Sequence, residues 1–148
     1  MKITRYIPIR VCSPRKSSIA KGFLHEIYTC KMLQAFFKRF KETGYAVLSR
    51  KLGICPGDRQ YENYGDFDTI NGDLLDLLKA QAPFYRGITF LYWNHRPLTH
   101  DLYVKKMRDA GFNVMEFRTL DAVHAFMLAR ETREPVAAGH AIIKARSF

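Results

Sequence analysis

Acidic residues are almost missing from the first third of this chain. Residues 1–51 set Glu26 and Glu42 against twelve Lys/Arg, a net charge of +10, while residues 52–148 balance twelve basic with twelve acidic groups. The excess of the whole chain therefore belongs to one segment, and a field of one sign draws in polyanions and is screened by salt. Nucleic acid is the first partner to expect, with a merely soluble basic surface as the alternative. Cysteine is scarce as well. Cys12, Cys30 and Cys55 are an odd number, and their spacing fits neither a disulfide framework nor a paired Cys-x-x-Cys zinc site. Free thiols in a reducing compartment are expected. A mixed site from Cys12, His25, Cys30 and Cys55 has no metal spacing behind it, so neither metal nor cofactor is expected. Long apolar runs are also lacking: none approaches the ~20 residues that cross a bilayer. The start, Met1-Lys2-Ile3-Thr4-Arg5, has neither the apolar segment nor the cleavage site of a signal peptide. A cytoplasmic protein without a membrane partner is the expectation. No internal repeat or low-complexity tract is present.

What is there suits one domain. The 148 residues are 47% hydrophobic and 26% charged, enough to bury roughly 70% of the unfolded surface. Apolar runs predict strands at Ile9–Cys12, Tyr45–Ser49, Gly87–Trp93 and Asn113–Phe117, the first tolerating Pro8 at its start and accommodating Arg10 poorly. Between them, Leu33, Phe36, Phe37 and Phe40 fall on one face of a helix from about Cys30 to Glu42, closed by Gly44. Thr99 caps a helix through Ala110, and Asp121 one to about Glu131. Strand and helix alternate, which predicts a single-domain three-layer α/β/α sandwich over residues 1–134 with a mostly parallel sheet of about four strands. Residues 135–148 read as an added edge strand, a docking arm or a disordered tail. Leu52 to Thr69 reads as a long irregular stretch, which in a compact domain is usually functional or disordered.

Ligands of such a sheet bind outside the carboxyl ends of its strands. The first exit offers Cys12 as a nucleophile, with Ser13 beside it and Arg15 and Lys16 as phosphate binders. The second offers Ser49, Arg50 and Lys51 and runs on to Tyr61, Tyr64 and Asp66. There a tyrosine ring stacks on a base and the acid polarises water, unless the loop is simply solvated. The third is Asn94, His95 and Arg96: an amide that reads a base edge, an imidazole that titrates near neutrality and a guanidinium for phosphate. Lys21, Lys38 and Arg39 complete the basic surface that nucleic acid would meet.

Three motifs carry a resemblance. Cys12-Ser13 with Lys16, then Leu48-Ser49-Arg50-Lys51-Leu52-Gly53-Ile54, then Tyr64-x-Asp66 resemble an uncharacterised small domain family of phages, archaea and bacteria. Its pattern is a Cys-x-x-x-Lys start, a Leu-Ser-Ala-x-x-Gly-Leu centre and a Pro-Tyr-Asp turn. More distantly, the chain resembles the Cys-Ser-x-x-Lys catalytic domain of archaeosine synthase, which joins lysine to a deazaguanine base in transfer RNA and is related in fold to uracil-DNA glycosylases. His95-Arg96-Pro97-Leu98 is similar to the His-Pro-Ser-Pro loop of that superfamily. Val11, Ser17-Ser18, Arg50 and Gly65 depart from these patterns. The resemblance implies an enzyme acting on a nucleobase or its glycosidic bond in nucleic acid. From the residues alone, a non-catalytic nucleic-acid-binding or inhibitory module and an enzyme on free nucleotides or nucleosides stay open.

Overall fold

A computed structural model of the protein describes residues 5–13, 16–63 and 74–133. In chain order the elements are β1 (Arg5–Val11), β2 (Lys21–Phe23), α1 (Leu24–Ile27), α2 (Lys31–Arg39), β3 (Ala46–Ser49), β4 (Gly53–Pro56) and β5 (Gln60–Glu62). There follow α3 (Leu74–Gln81), a short 3-10 turn (Ala82–Tyr85), β6 (Ile88–Trp93), α4 (Pro97–Asp109), β7 (Asn113–Phe117) and α5 (Leu120–Arg133). The chain is mixed α/β. Its main sheet has five strands in the order β4-β3-β1-β6-β7, all parallel except β4.

The four parallel strands are the four apolar runs of the sequence, and the fifth strand lies inside the stretch expected to be irregular. A turn at Arg50–Leu52 folds β4 back on β3, where Val47 pairs with Cys55 and Leu48 with Ile54. The Ser49 hydroxyl accepts the amides of Lys51 and Leu52 at 3.2 and 3.1 Å, the local bonding that suits serine to turns. Gly53 leaves that turn at φ +75°, a left-handed conformation that costs other residues free energy. Gln81 of α3 clamps the hairpin from outside, its Oε1 accepting Ile54 N–H at 2.9 Å and its Nε2 donating to Leu52 O at 3.0 Å. A second, two-stranded antiparallel sheet joins β2 to β5 through Lys21–Glu62 and Phe23–Gln60.

Pro8 lies in the middle of β1 rather than at its start, and the register explains why it is tolerated. Arg5 N–H bonds to Gly87 O before β6, and Cys12 N–H bonds to Leu48 O of β3, so amides of even number face β3. That strand begins only at Ala46, opposite Ile9. The donor that proline lacks therefore points where no strand runs.

Phe36 of α2 is fully buried and anchors the core. Its ring meets Phe40 at 5.4 Å and Tyr45 at 5.7 Å and stacks on Trp93 at 6.2 Å. Arg39 of α2 reaches Asp121 of α5 at 2.9 Å, while α3 packs against α4. No helix among the described residues is long and apolar enough to cross a membrane. Arg15, Tyr64, Asp66 and the tail 135–148 lie outside the described residues.

Candidate functional site at the carboxyl edge of the sheet

From β1 the chain leads to β3 on one side, and from β6 to β7 on the other. The two strands are adjacent and parallel, so their carboxyl ends flank the point where the strand order reverses, the place where such sheets hold ligands. Ile9 pairs with Tyr92, which sets Arg10 beside Trp93 and the Cys12-Ser13 exit beside Asn94-His95.

Arg10, the residue that fits an apolar strand poorly, defines this edge. It is only 8% exposed, and its guanidinium carbon lies 5.0 Å from the centre of the Trp93 ring. Among the described residues its Nε and Nη1 have no hydrogen-bond partner, and no carboxylate forms an ion pair with it. Burial lowers its pKa, the Cys30 thiol and Tyr92 offset part of that, and Arg96 adds to the lowering. Trp93 Nε1, His95 Nδ1 and Asn94 Oδ1 are likewise buried without a partner among the described residues. Two helices also start here. Cys30 is the N-cap of α2 and Arg96 that of α4, where Pro97 takes the first turn and no side chain caps the amides. Cys30 at the start of α2 and Arg96 at that of α4 thus lie near the Arg10 guanidinium, and a positive helix end favours an anion.

The sequence candidates divide. His95 is half-buried, 5.2 Å ring to ring from both Trp93 and His100. Burial, then Arg10 and Arg96, lower its pKa. Asn94 is fully buried, and its amide is already committed: Nδ2 donates to Asp101 at 2.8 Å and to Glu116 at 2.9 Å. Only Oδ1 remains for a ligand. Cys12, expected to be activated by Lys16, is 5% exposed. Burial raises its pKa despite opposing contributions from Arg50 and Lys16, because desolvation of a thiolate outweighs those cations. Ser13 hydrogen-bonds Cys30. The Lys16 ammonium sits 5.8 Å from the Tyr28 ring and Arg50 5.8 Å from that of Tyr103. Arg96 and Lys51 are exposed at the exits, while the Ser49 hydroxyl serves the turn.

Other candidates are separated from this edge. The Tyr61 hydroxyl donates to Pro56 O at 2.7 Å, and Pro56 pairs with Ala46 at the opposite end of β3. Lys38 and Arg39 occupy the last turn of α2, about 12 Å along the helix from Cys30 at 1.5 Å per residue, and Arg39 is ion-paired. Lys21 projects from the small sheet. A cleft of about 450 Å³ lies near the amino halves of β1 and β3, lined by Ile7, Tyr45, Ala46, Tyr85 and Phe90. Among the described residues it holds none of the buried atoms that lack a hydrogen-bond partner. No three His, Cys, Asp or Glu side chains among the described residues come together as metal ligands.

Arg10, Trp93 and Cys30 were not among the sequence candidates. The signal for Arg10 was a charge inside an apolar run, and for Cys30 a thiol directly before an amphipathic helix. Comparison with protein-family models, curated proteins and solved structures finds no match for this chain.

Proposed function

We propose that the carboxyl edge between β1 and β6 binds a phosphate of nucleic acid, and that the protein acts there on a nucleobase or its glycosidic bond. The observation that carries this is the buried Arg10 guanidinium, two of whose nitrogens have no hydrogen-bond partner among the described residues. A buried charge with no ion pair among the described residues costs several kcal/mol, and an anion at this edge would offset that cost. Phosphate fits that demand, and the basic first third of the chain, with Lys16, Arg50, Lys51 and Arg96 around the same exits, supports a polyanion as its source. His95, at the same edge, is the group assigned to take a proton. The resemblance to base-modifying and glycosylase-like domains supports the same reading.

The layering is inferred in the same way. Tyr92 and Trp93 are neighbours on β6, so their side chains point to opposite faces. Trp93 stacks on Phe36 of α2, and Tyr92 bonds to His100 of α4 at 2.8 Å. This supports a three-layer α/β/α sandwich with α2 and α5 on one face and α3 and α4 on the other. Three free thiols suit a cytoplasmic setting.

A second reading, an enzyme on free nucleotides or nucleosides, is favoured by the distance of Lys38 and Arg39 from the edge. One experiment separates the readings. Single- and double-stranded DNA and RNA of graded length are bound at two salt concentrations, and the recovered nucleosides are weighed by mass spectrometry. The expected result is affinity that rises with length and falls steeply with salt, together with a changed or missing base. Affinity independent of length transfers the site to free nucleotides, and unchanged nucleosides reduce the protein to a binding module.

A further inference from the structure

Cys30 is partly open to solvent, whereas Cys12 and Cys55 are buried. As N-cap of α2 it makes no side-chain cap hydrogen bond, and the Leu33 and Met32 amides, the Ser13 hydroxyl and Arg10 lie near its sulfur. Burial alone would raise the thiol pKa. These four groups together outweigh it, and the pKa falls below the ordinary thiol value. Cys55 shows the contrast, pushed up to about 12 by burial first and then by Cys12. A cysteine at a helix start is not in itself a site. Here Arg10, more than nine-tenths buried, lies beside the sulfur and carries two nitrogens with no hydrogen-bond partner among the described residues.

We propose that Cys30 is a nucleophile for electrophiles that carry a phosphate or carboxylate, with Arg10 holding the anion while Sγ forms the covalent bond. The inference rests on the edge being an anion site, though not on nucleic acid being its ligand. In the step, sulfur gives its electron pair to the electrophilic carbon or phosphorus. The bond to the leaving group breaks with its electrons on that group, and the thiol proton passes to solvent. With iodoacetate, an S–C bond forms, the C–I bond breaks and iodide departs.

The test uses the full chain with two reagents of nearly one shape, anionic iodoacetate and neutral iodoacetamide. The rate at each cysteine is followed by peptide mass spectrometry, with glutathione as the reference thiol. The expected iodoacetate-to-iodoacetamide rate ratio at Cys30 is about tenfold above that of glutathione, the size of one charge-assisted hydrogen bond. Inorganic phosphate should slow the iodoacetate reaction at Cys30, and Arg10→Met should return the ratio to that of glutathione. A glutathione-like ratio in the unaltered chain, or no effect of phosphate, overturns the proposal. Because Arg10 is buried and its variant can fail to fold, the phosphate measurement on the unaltered chain decides in that event. Failure to bind nucleic acid would overturn the preceding reading alone, since neither iodoacetate nor phosphate requires a polymer.

Discussion

Lowering the pH from 7.5 to 5 should weaken this fold through His100. The imidazole is 3% exposed, and its Nδ1 lies 2.8 Å from the Tyr92 hydroxyl. Burial, then Arg10, His95 and Arg96, depress its pKa from 6.5 to about 4, with Asp101 opposing. A depressed histidine pKa means that the unfolded chain binds the proton more readily than the folded one. Stability therefore rises with pH between about 4 and 6.5 and is lost as pH falls through that window. The gap corresponds to about 3 kcal/mol at 1.36 kcal/mol per tenfold change in proton affinity. At pH 5 roughly two-thirds of it is felt, and solvent screening reduces this further, so the expected loss is about 1–2 kcal/mol. His95, whose pKa is also lowered by burial, adds with the same sign. Urea unfolding at pH 7.5 and 5 on the wild type, His100→Gln and His95→Gln reads the effect as a shift in midpoint. A wild-type midpoint that does not move, or a His100→Gln protein with the full wild-type slope, refutes the reasoning.

Three substitutions test the packing that positions the edge. Phe36→Ala empties a fully buried site shared with Phe40, Tyr45 and Trp93 and should cost about 3–5 kcal/mol in denaturant unfolding; a loss under 1 kcal/mol would mean the site is not the core anchor. Asn94→Ala removes both bonds that tie Asp101 of α4 and Glu116 of β7 together, for an expected loss of about 3 kcal/mol, and an unchanged melting midpoint would contradict the bridge. Gly53→Ala meets positive φ and places its Cβ against Gln81 Oε1, so it should cost at least about 1–2 kcal/mol. The double variant with Gln81→Ala should relieve the contact but not the backbone strain.

The parallel strands were legible because burial on both faces leaves an uninterrupted apolar run; Asn113–Phe117 was read with its observed bounds, and Tyr45–Ser49 to within a residue. The β4 hairpin was not, because Gly53, Pro56 and Gly57 are turn residues, and their pairing comes from β3 and from Gln81, 27 residues beyond Ile54. β2 and β5 are three residues each, too short for a period to register. At the site, the strand exits were legible from topology and His95 and Arg96 with them. Arg10 was noticed only as a misfit, since nothing local says whether a charge in a strand is buried unpaired. Cys12 reads as a nucleophile because a neighbouring lysine is visible in sequence, whereas depth of burial and the amides of a helix start are tertiary facts.

The most direct test follows from Trp93 being the single tryptophan of the chain. Its indole N–H is buried without a partner among the described residues and Arg10 lies over its ring, so one resolved cross-peak in a proton–nitrogen correlation spectrum reports on the edge. Titration with a 5′-phosphorylated dinucleotide should shift that peak saturably, and the same titration of Arg96→Gln should require more ligand. An indole peak that stays in place while the ligand binds elsewhere, or does not bind, would contradict an anion site between β1 and β6.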